Sequence, residues 1–138
     1  MKMILRILPI LYMAAVFYQS SLPSDHFVKL PDSTLDANIK ESLHLIEFAI
    51  LYVLLVIAFL TRREAFTPLL NLSCAVFAAL YGISDEVHQS FYPYRSSSLF
   101  DFVQDVIGIS VCFYFIRGAL FKGKFTRLLK SLNFIKKI

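Results

Sequence analysis

The chain has 138 residues and a net charge of +4, with 57% apolar and only 17% charged residues. Ordinary globular domains carry about 45–50% apolar and about 25% charged residues, so this composition excludes a disordered chain and argues against a soluble domain. Fourteen Phe, seven Tyr and no Trp, with a mean hydropathy of +0.64, fit a lipid-facing protein, and the basic charge does not form the soluble surface that a nucleic-acid partner would need.

Crossing a hydrocarbon layer of ~30 Å takes roughly 17–25 mostly apolar residues as a helix. Four stretches approach this length: 3–18, 43–60, 66–84 and 99–121. In lipid the backbone must satisfy its own hydrogen bonds, and none of the four shows the strict alternation of a barrel strand, so each is read as a helix.

The first stretch is short and carries Arg6 and Pro9. Pro9 is placed in the early turns, where a missing N–H costs least, and Arg6 is expected to snorkel to the near interface. A cleaved signal peptide is the rival reading; the lack of a small-x-small site favours a retained helix. Ser20 to about Ser42 reads as the longest connection, with His26 solvated within it. The second stretch is entered through Glu41, His44 and Glu47, spaced three apart and so on neighbouring positions of one face. The third runs into Asp85, Glu86, His88 and Gln89, and Arg95 falls in the short turn beyond it. The fourth opens with Asp101 and Asp105, one helical turn apart. Cys74 and Cys112 lie in apolar runs and read as small hydrophobes. The tail, 124–138, has Phe125, Leu128, Leu129, Leu132 and Ile135 on one helical face and Lys or Arg opposite. That pattern predicts a basic amphipathic helix on an anionic inner leaflet; a nucleic-acid arm has no use for the apolar stripe.

All of the 14 basic residues except Lys29, Lys40 and Arg95 fall on one side of this four-span layout, and Glu64 is the one acid that joins them. The positive-inside rule makes that side cytoplasmic and puts both termini inside. The expected architecture is therefore an all-α bundle of four transmembrane helices, a multi-pass protein of the cell membrane in contact with its lipids.

His44, Glu47, Asp85, Glu86, His88, Gln89, Arg95, Asp101 and Asp105 then gather at the outer level of three helices. Ionisable groups in a membrane span usually face a bundle interior or a cavity and mark function. A purely structural polar lock between helices is the alternative. Three chemistries suit such a pocket. Metal ligation draws on the Glu41/His44 and Asp85/His88 pairs. Acid–base work falls to His44 or His88, with Asp85 and Glu86 beside them. Arg95 would grip an anion, with Gln89, Glu47, Asp101 and Asp105 completing the ligand site. No catalytic Ser/His/Asp order, phosphate loop or zinc-protease motif is present.

The same residues carry a resemblance. Phe17-Tyr18-Gln19-Ser20-Ser21, His44-Leu45-Ile46-Glu47-Phe48, Asp85-Glu86-Val87-His88-Gln89, Pro93-Tyr94-Arg95 and then Asp101, Asp105 and Gly108 follow in the order and spacing of the VanZ-like family of small bacterial membrane proteins, named for a teicoplanin-resistance protein. The chain resembles that family over most of its length. Tyr94 stands where the family usually has Gly, and Glu41 where a Lys commonly precedes the His, which removes Glu41 from the site and speaks against a metal. The resemblance implies a role in the cell envelope, in lowering glycopeptide action. It implies neither a cofactor nor a settled reaction. Binding of an anionic envelope ligand (a cell-wall precursor, lipid headgroup or glycopeptide) is the first expectation. A membrane-embedded enzyme acting on a lipid-linked or envelope substrate is the second.

Overall fold

The computed structural model describes residues 2–23, 33–62, 64–93 and 99–137, and for 33–44 the backbone alone. These residues form five helices and no strand: α1 (Lys2–Ser20), α2 (Ser33–Leu60), α3 (Pro68–Gln89), α4 (Leu99–Lys122) and α5 (Thr126–Lys137). Of these, α1, α3 and α4 are long and apolar enough to cross a membrane, while the apolar part of α2, Leu45–Leu60, is shorter.

The helix ends differ from the apolar stretches for local reasons. α2 begins at Ser33, inside the segment expected to be a connection. Residues 33–42 contain neither Gly nor Pro and include Leu, Ala, Ile, Lys and Glu, so the backbone is free to be helical although the sequence is polar. α3 starts at Pro68 because Thr67 caps it: the Thr67 hydroxyl accepts the Leu70 N–H at 3.1 Å, and Pro68 needs no acceptor at the first position. It continues past the apolar run through Asp85 to Gln89. Pro9 lies buried within α1 rather than at its start, and its missing N–H removes one intrahelical bond.

α2 is the hub, packing against α1, α3, α4 and α5; α3 also packs on α4, and α1 touches α3 more lightly. Phe48, Leu51, Tyr52, Val56 and Leu60 of α2 form the spine of the core, met by Val16, Cys74, Ala78, Ile109, Ile116 and Ala119. The Tyr52 hydroxyl donates to Asn71 Oδ1 at 2.7 Å inside this core. Large apolar side chains such as Ile10, Leu69, Leu80 and Tyr114 point outward, as lipid-facing residues do.

α1 is held to its neighbours by three side-chain hydrogen bonds to main-chain carbonyls. Arg6 Nη2 donates to Thr61 O at 2.6 Å, Tyr12 to Glu47 O at 3.1 Å, and Tyr81 to Met13 O at 2.8 Å. Arg6 therefore serves the C-terminal end of α2 rather than only reaching for an interface.

The α4–α5 turn reverses the chain through two left-handed residues, Gly123 (φ 63) and Phe125 (φ 55), and the Lys124 N–H closes on Gly118 O at 2.9 Å. The Phe125 ring packs on Phe115, 4.9 Å between centroids. Gly118 makes room for it, since a Cβ there would lie 2.8 Å from that ring. The turn folds α5 back against α2 and α4, so Leu132 is buried in the core and Leu128 and Leu129 pack against it. Part of the stripe that the sequence assigns to a leaflet thus caps the bundle.

Candidate functional site

One end of the bundle collects acids. α2 contributes Glu47, α3 contributes Asp85 and Glu86, and α4 contributes Asp101 and Asp105. The other end carries Arg6, Arg62, Arg117, Lys122 and the basic residues of α5.

Gly82, Asp85 and Gln89 lie at i, i+3 and i+7, a single stripe of α3, and all three are buried. Asp85 retains 4% exposure and Gln89 2%. Gln89 Nε2 donates to Asp85 Oδ2 at 2.6 Å, so this carboxylate is supplied with a donor from one turn away. Asp105 comes from α4 and has no exposed surface. Its Oδ2 lies 3.2 Å from the point where a Cβ on Gly82 would sit, and the Phe48 ring of α2 lies 3.6 Å from the same point. Neither Asp105 oxygen has a hydrogen-bond partner among the described residues. Glu86, Glu47, Asp85 and Asp101 are its electrostatic neighbours.

His88 faces a different helix. Its ring stacks on Phe17 of α1 at 4.3 Å and 27°, and Tyr92 meets it edge-on at 5.1 Å. Its Nε2 lies 3.0 Å from Ser21 Oγ. That hydroxyl has one proton, and Ser21 Oγ donates it to Phe17 O at 2.9 Å. With that proton on Phe17 O the imidazole donates from Nε2 and leaves Nδ1 as the acceptor; in the other tautomer Nε2 accepts from Ser21.

The structure thus brings Asp85, Gln89 and Asp105 together at the junction of α2, α3 and α4, with the half-buried Glu47, Glu86 and Asp101 around them. It turns His88 toward α1. Arg95 and the His44 side chain lie outside the described residues. Among the described residues, no three His, Cys, Asp or Glu side chains group as metal ligands, and Cys74 and Cys112 are free. Sequence reasoning did not place Gly82, Phe48 or Ser21 in the site. Gly82 had a signal, as a side-chain-free position three residues before Asp85 on the same stripe. Phe48 and Ser21 fall within the segments that carry the family resemblance, and packing gives them their place.

Chemically, ionised carboxylates accept hydrogen bonds and never donate them, so this junction suits N–H or O–H groups, or a cation, and the His88 imidazole suits proton transfer. A family model with the description VanZ/LLP1 matches residues 4–122. The match takes in the acidic end of the bundle and stops before α5. No curated protein and no solved structure matches the chain.

Proposed function

The chain belongs to the VanZ/LLP1 family, and we propose that it is a multi-pass protein of the bacterial cell membrane that holds an anionic envelope ligand in an outward-facing polar pocket and so contributes to glycopeptide resistance. The observation that carries this reading is the convergence of buried Asp85, Gln89 and Asp105 from two helices at one end of an otherwise apolar bundle. Polar groups are costly in a membrane span unless they serve a ligand or a partner.

The four-span layout is part of the proposal. A 28-residue α2 is ~42 Å long by its rise per residue, which exceeds a ~30 Å hydrocarbon layer. Leu45–Leu60, ~24 Å long, then makes most of the fourth crossing, the turn before it completes the span, and the first polar turns stand outside. The basic end faces the cytoplasm, both termini with it, and the acidic end faces outward. Arg95, in the link between α3 and α4, takes the anionic group. Glu47, Asp101, Asp105, Asp85 and Gln89 take the hydroxyl, amide or ammonium donors that such a ligand also carries.

Native mass spectrometry of the purified protein tests this. The parent chain should carry an anionic envelope lipid or glycan that Arg95→Ala loses. Retention of the same species by Arg95→Ala, with unchanged drug sensitivity, would overturn the reading.

A membrane-embedded enzyme is the second reading, favoured by the His88 ring held between Phe17 and Tyr92 with one nitrogen at the Ser21 hydroxyl and the other left for proton transfer. His44, Asp85 and Glu86 are its companions in that role. In this case His88→Gln keeps ligand binding and abolishes turnover, and a deletion strain accumulates a lipid-linked or cell-wall precursor.

A further inference from the structure

A carboxylate leaves water at little cost only if donors or an opposite charge replace its hydration. Among the described residues Asp105 has neither. It has no solvent exposure, and no hydrogen bond reaches either of its oxygens. Four acids face it instead: Glu47 from α2, Asp85 and Glu86 from α3, and Asp101 from α4. No described cation stands among these electrostatic neighbours, and the described Lys and Arg side chains belong to the opposite end of the bundle.

The five acids are not alike. Glu47, Glu86 and Asp101 are half-buried and stay in contact with water. Asp85 keeps 4% exposure and takes the Gln89 N–H at 2.6 Å. Asp105 alone lacks both water and a donor, packed where Gly82 and the Phe48 ring meet it without a polar side chain. Like charges that share a site do not all ionise together, and the proton goes to the member that solvation serves least. A proton asks for no cavity and no set of oxygen ligands, because it becomes part of the carboxyl group. The neutral acid is a small polar group that an apolar bundle buries at far lower cost than a charge, and it gains an O–H donor that the carboxylate lacks.

We propose that Asp105 is a proton-binding site: it stands as the neutral acid at neutral pH, and its proton lets α4 close against α2 and α3. Loss of that proton puts an unpaired charge among Glu47, Asp85, Glu86 and Asp101 and loosens the acidic end of the bundle. In the unfolded chain an aspartate ionises near about pH 4. At neutral pH the folded chain then holds one proton more than the unfolded chain, so its stability falls as pH rises. This goes beyond the pocket reading above and needs no envelope ligand, so either can fail while the other stands.

The test is infrared spectroscopy of the detergent-solubilised full chain at neutral pH, with and without carbon-13 in the aspartate carboxyl groups. The parent should show the C=O stretch of a protonated carboxyl, and the aspartate label should move it. Asp105→Asn should lose that band, and Asp105→Ser repeats the test if the Asn variant does not fold. Asp101→Asn and Glu64→Gln should keep it. Thermal unfolding gives a second reading. From about pH 5 to about pH 8 the parent midpoint should fall by about 3 °C or more relative to that of Asp105→Asn, because Asn resembles the neutral acid and has no proton to lose. A parent without a label-sensitive band at neutral pH would overturn the proposal, whatever the variants do. So would a band that persists in Asp105→Asn or Asp105→Ser, or midpoints of parent and Asp105→Asn that run parallel with pH.

Discussion

Gly108 of α4 lies against the main-chain carbonyl of Leu45 in α2, so closely that a Cβ at 108 would overlap that oxygen and come within 3.4 Å of the Ala49 methyl. The two helices touch backbone to backbone, as membrane helices do where a small residue lines the seam. The contact sets the height at which α2 meets α4. Asp105 sits one turn before Gly108 and Phe48 one turn after Leu45, so this crossing brings the aromatic wall to the buried acid.

Gly108→Ala should therefore cost about 1–3 kcal/mol, the range for forcing a methyl into a packed seam. Denaturant titration in detergent micelles reads the loss. Stability equal to the parent would show that the helices have room to part.

Nitrogen-15 NMR of histidine-labelled protein should find the His88 proton on Nε2 and an unprotonated Nδ1 when the ring is neutral, the outcome expected if the Ser21 hydroxyl gives its proton to Phe17 O rather than to the ring. Ser21→Ala should remove the acceptor and let the two tautomers mix. A parent ring protonated at Nδ1 would reverse the assignment and take the base away from the enzymatic reading.

Leu132→Ala should destabilise the protein by about 2 kcal/mol or more, since Leu132 is buried in the main core although it belongs to the terminal helix. Phe134, 68% exposed on the same helix, should tolerate Ala within about 0.5 kcal/mol. Limited trypsin digestion gives a second reading: cleavage after Arg127 and Lys130 should quicken in the Leu132 variant and not in the Phe134 one.

Topology is tested with single cysteines in a background lacking Cys74 and Cys112. Ser90 and Ser131 are exposed at opposite ends of the bundle. In sealed right-side-out vesicles an impermeant thiol reagent should label Ser90→Cys and spare Ser131→Cys until the membrane is permeabilised. Labelling of both from outside would break the proposed orientation.

Hydropathy located the apolar middles of the helices because it reports burial in lipid or core, but it is blind to a helix that continues in polar residues. Hence α4 agrees with the expected 99–121 to within a residue, while α2 starts ten residues before 43 and α3 ends five beyond 84. Helical periodicity was enough to align Asp85 with Gln89 and Asp101 with Asp105. It was too coarse for His88. At 3.6 residues per turn, position 88 is rotated about 60° from 85, and that rotation suffices to hand the ring to α1. Phe48 and Ser21 stand in the segments that carry the resemblance, but their roles, like that of Gly82, come from contacts between helices, which helical periodicity does not encode.

Three of the bonds that seat α1 end on peptide carbonyls, of Thr61, Glu47 and Met13, and a fourth runs from Arg6 Nε to the Thr61 hydroxyl. A peptide oxygen is present whatever side chain its residue bears. Exchanges at Glu47 and Met13 leave those attachments intact as long as the helices keep their course, and exchange of Thr61 removes only the hydroxyl half of its pairing with Arg6, whereas loss of the guanidinium of Arg6 or the phenol of Tyr12 or Tyr81 deletes a tether outright.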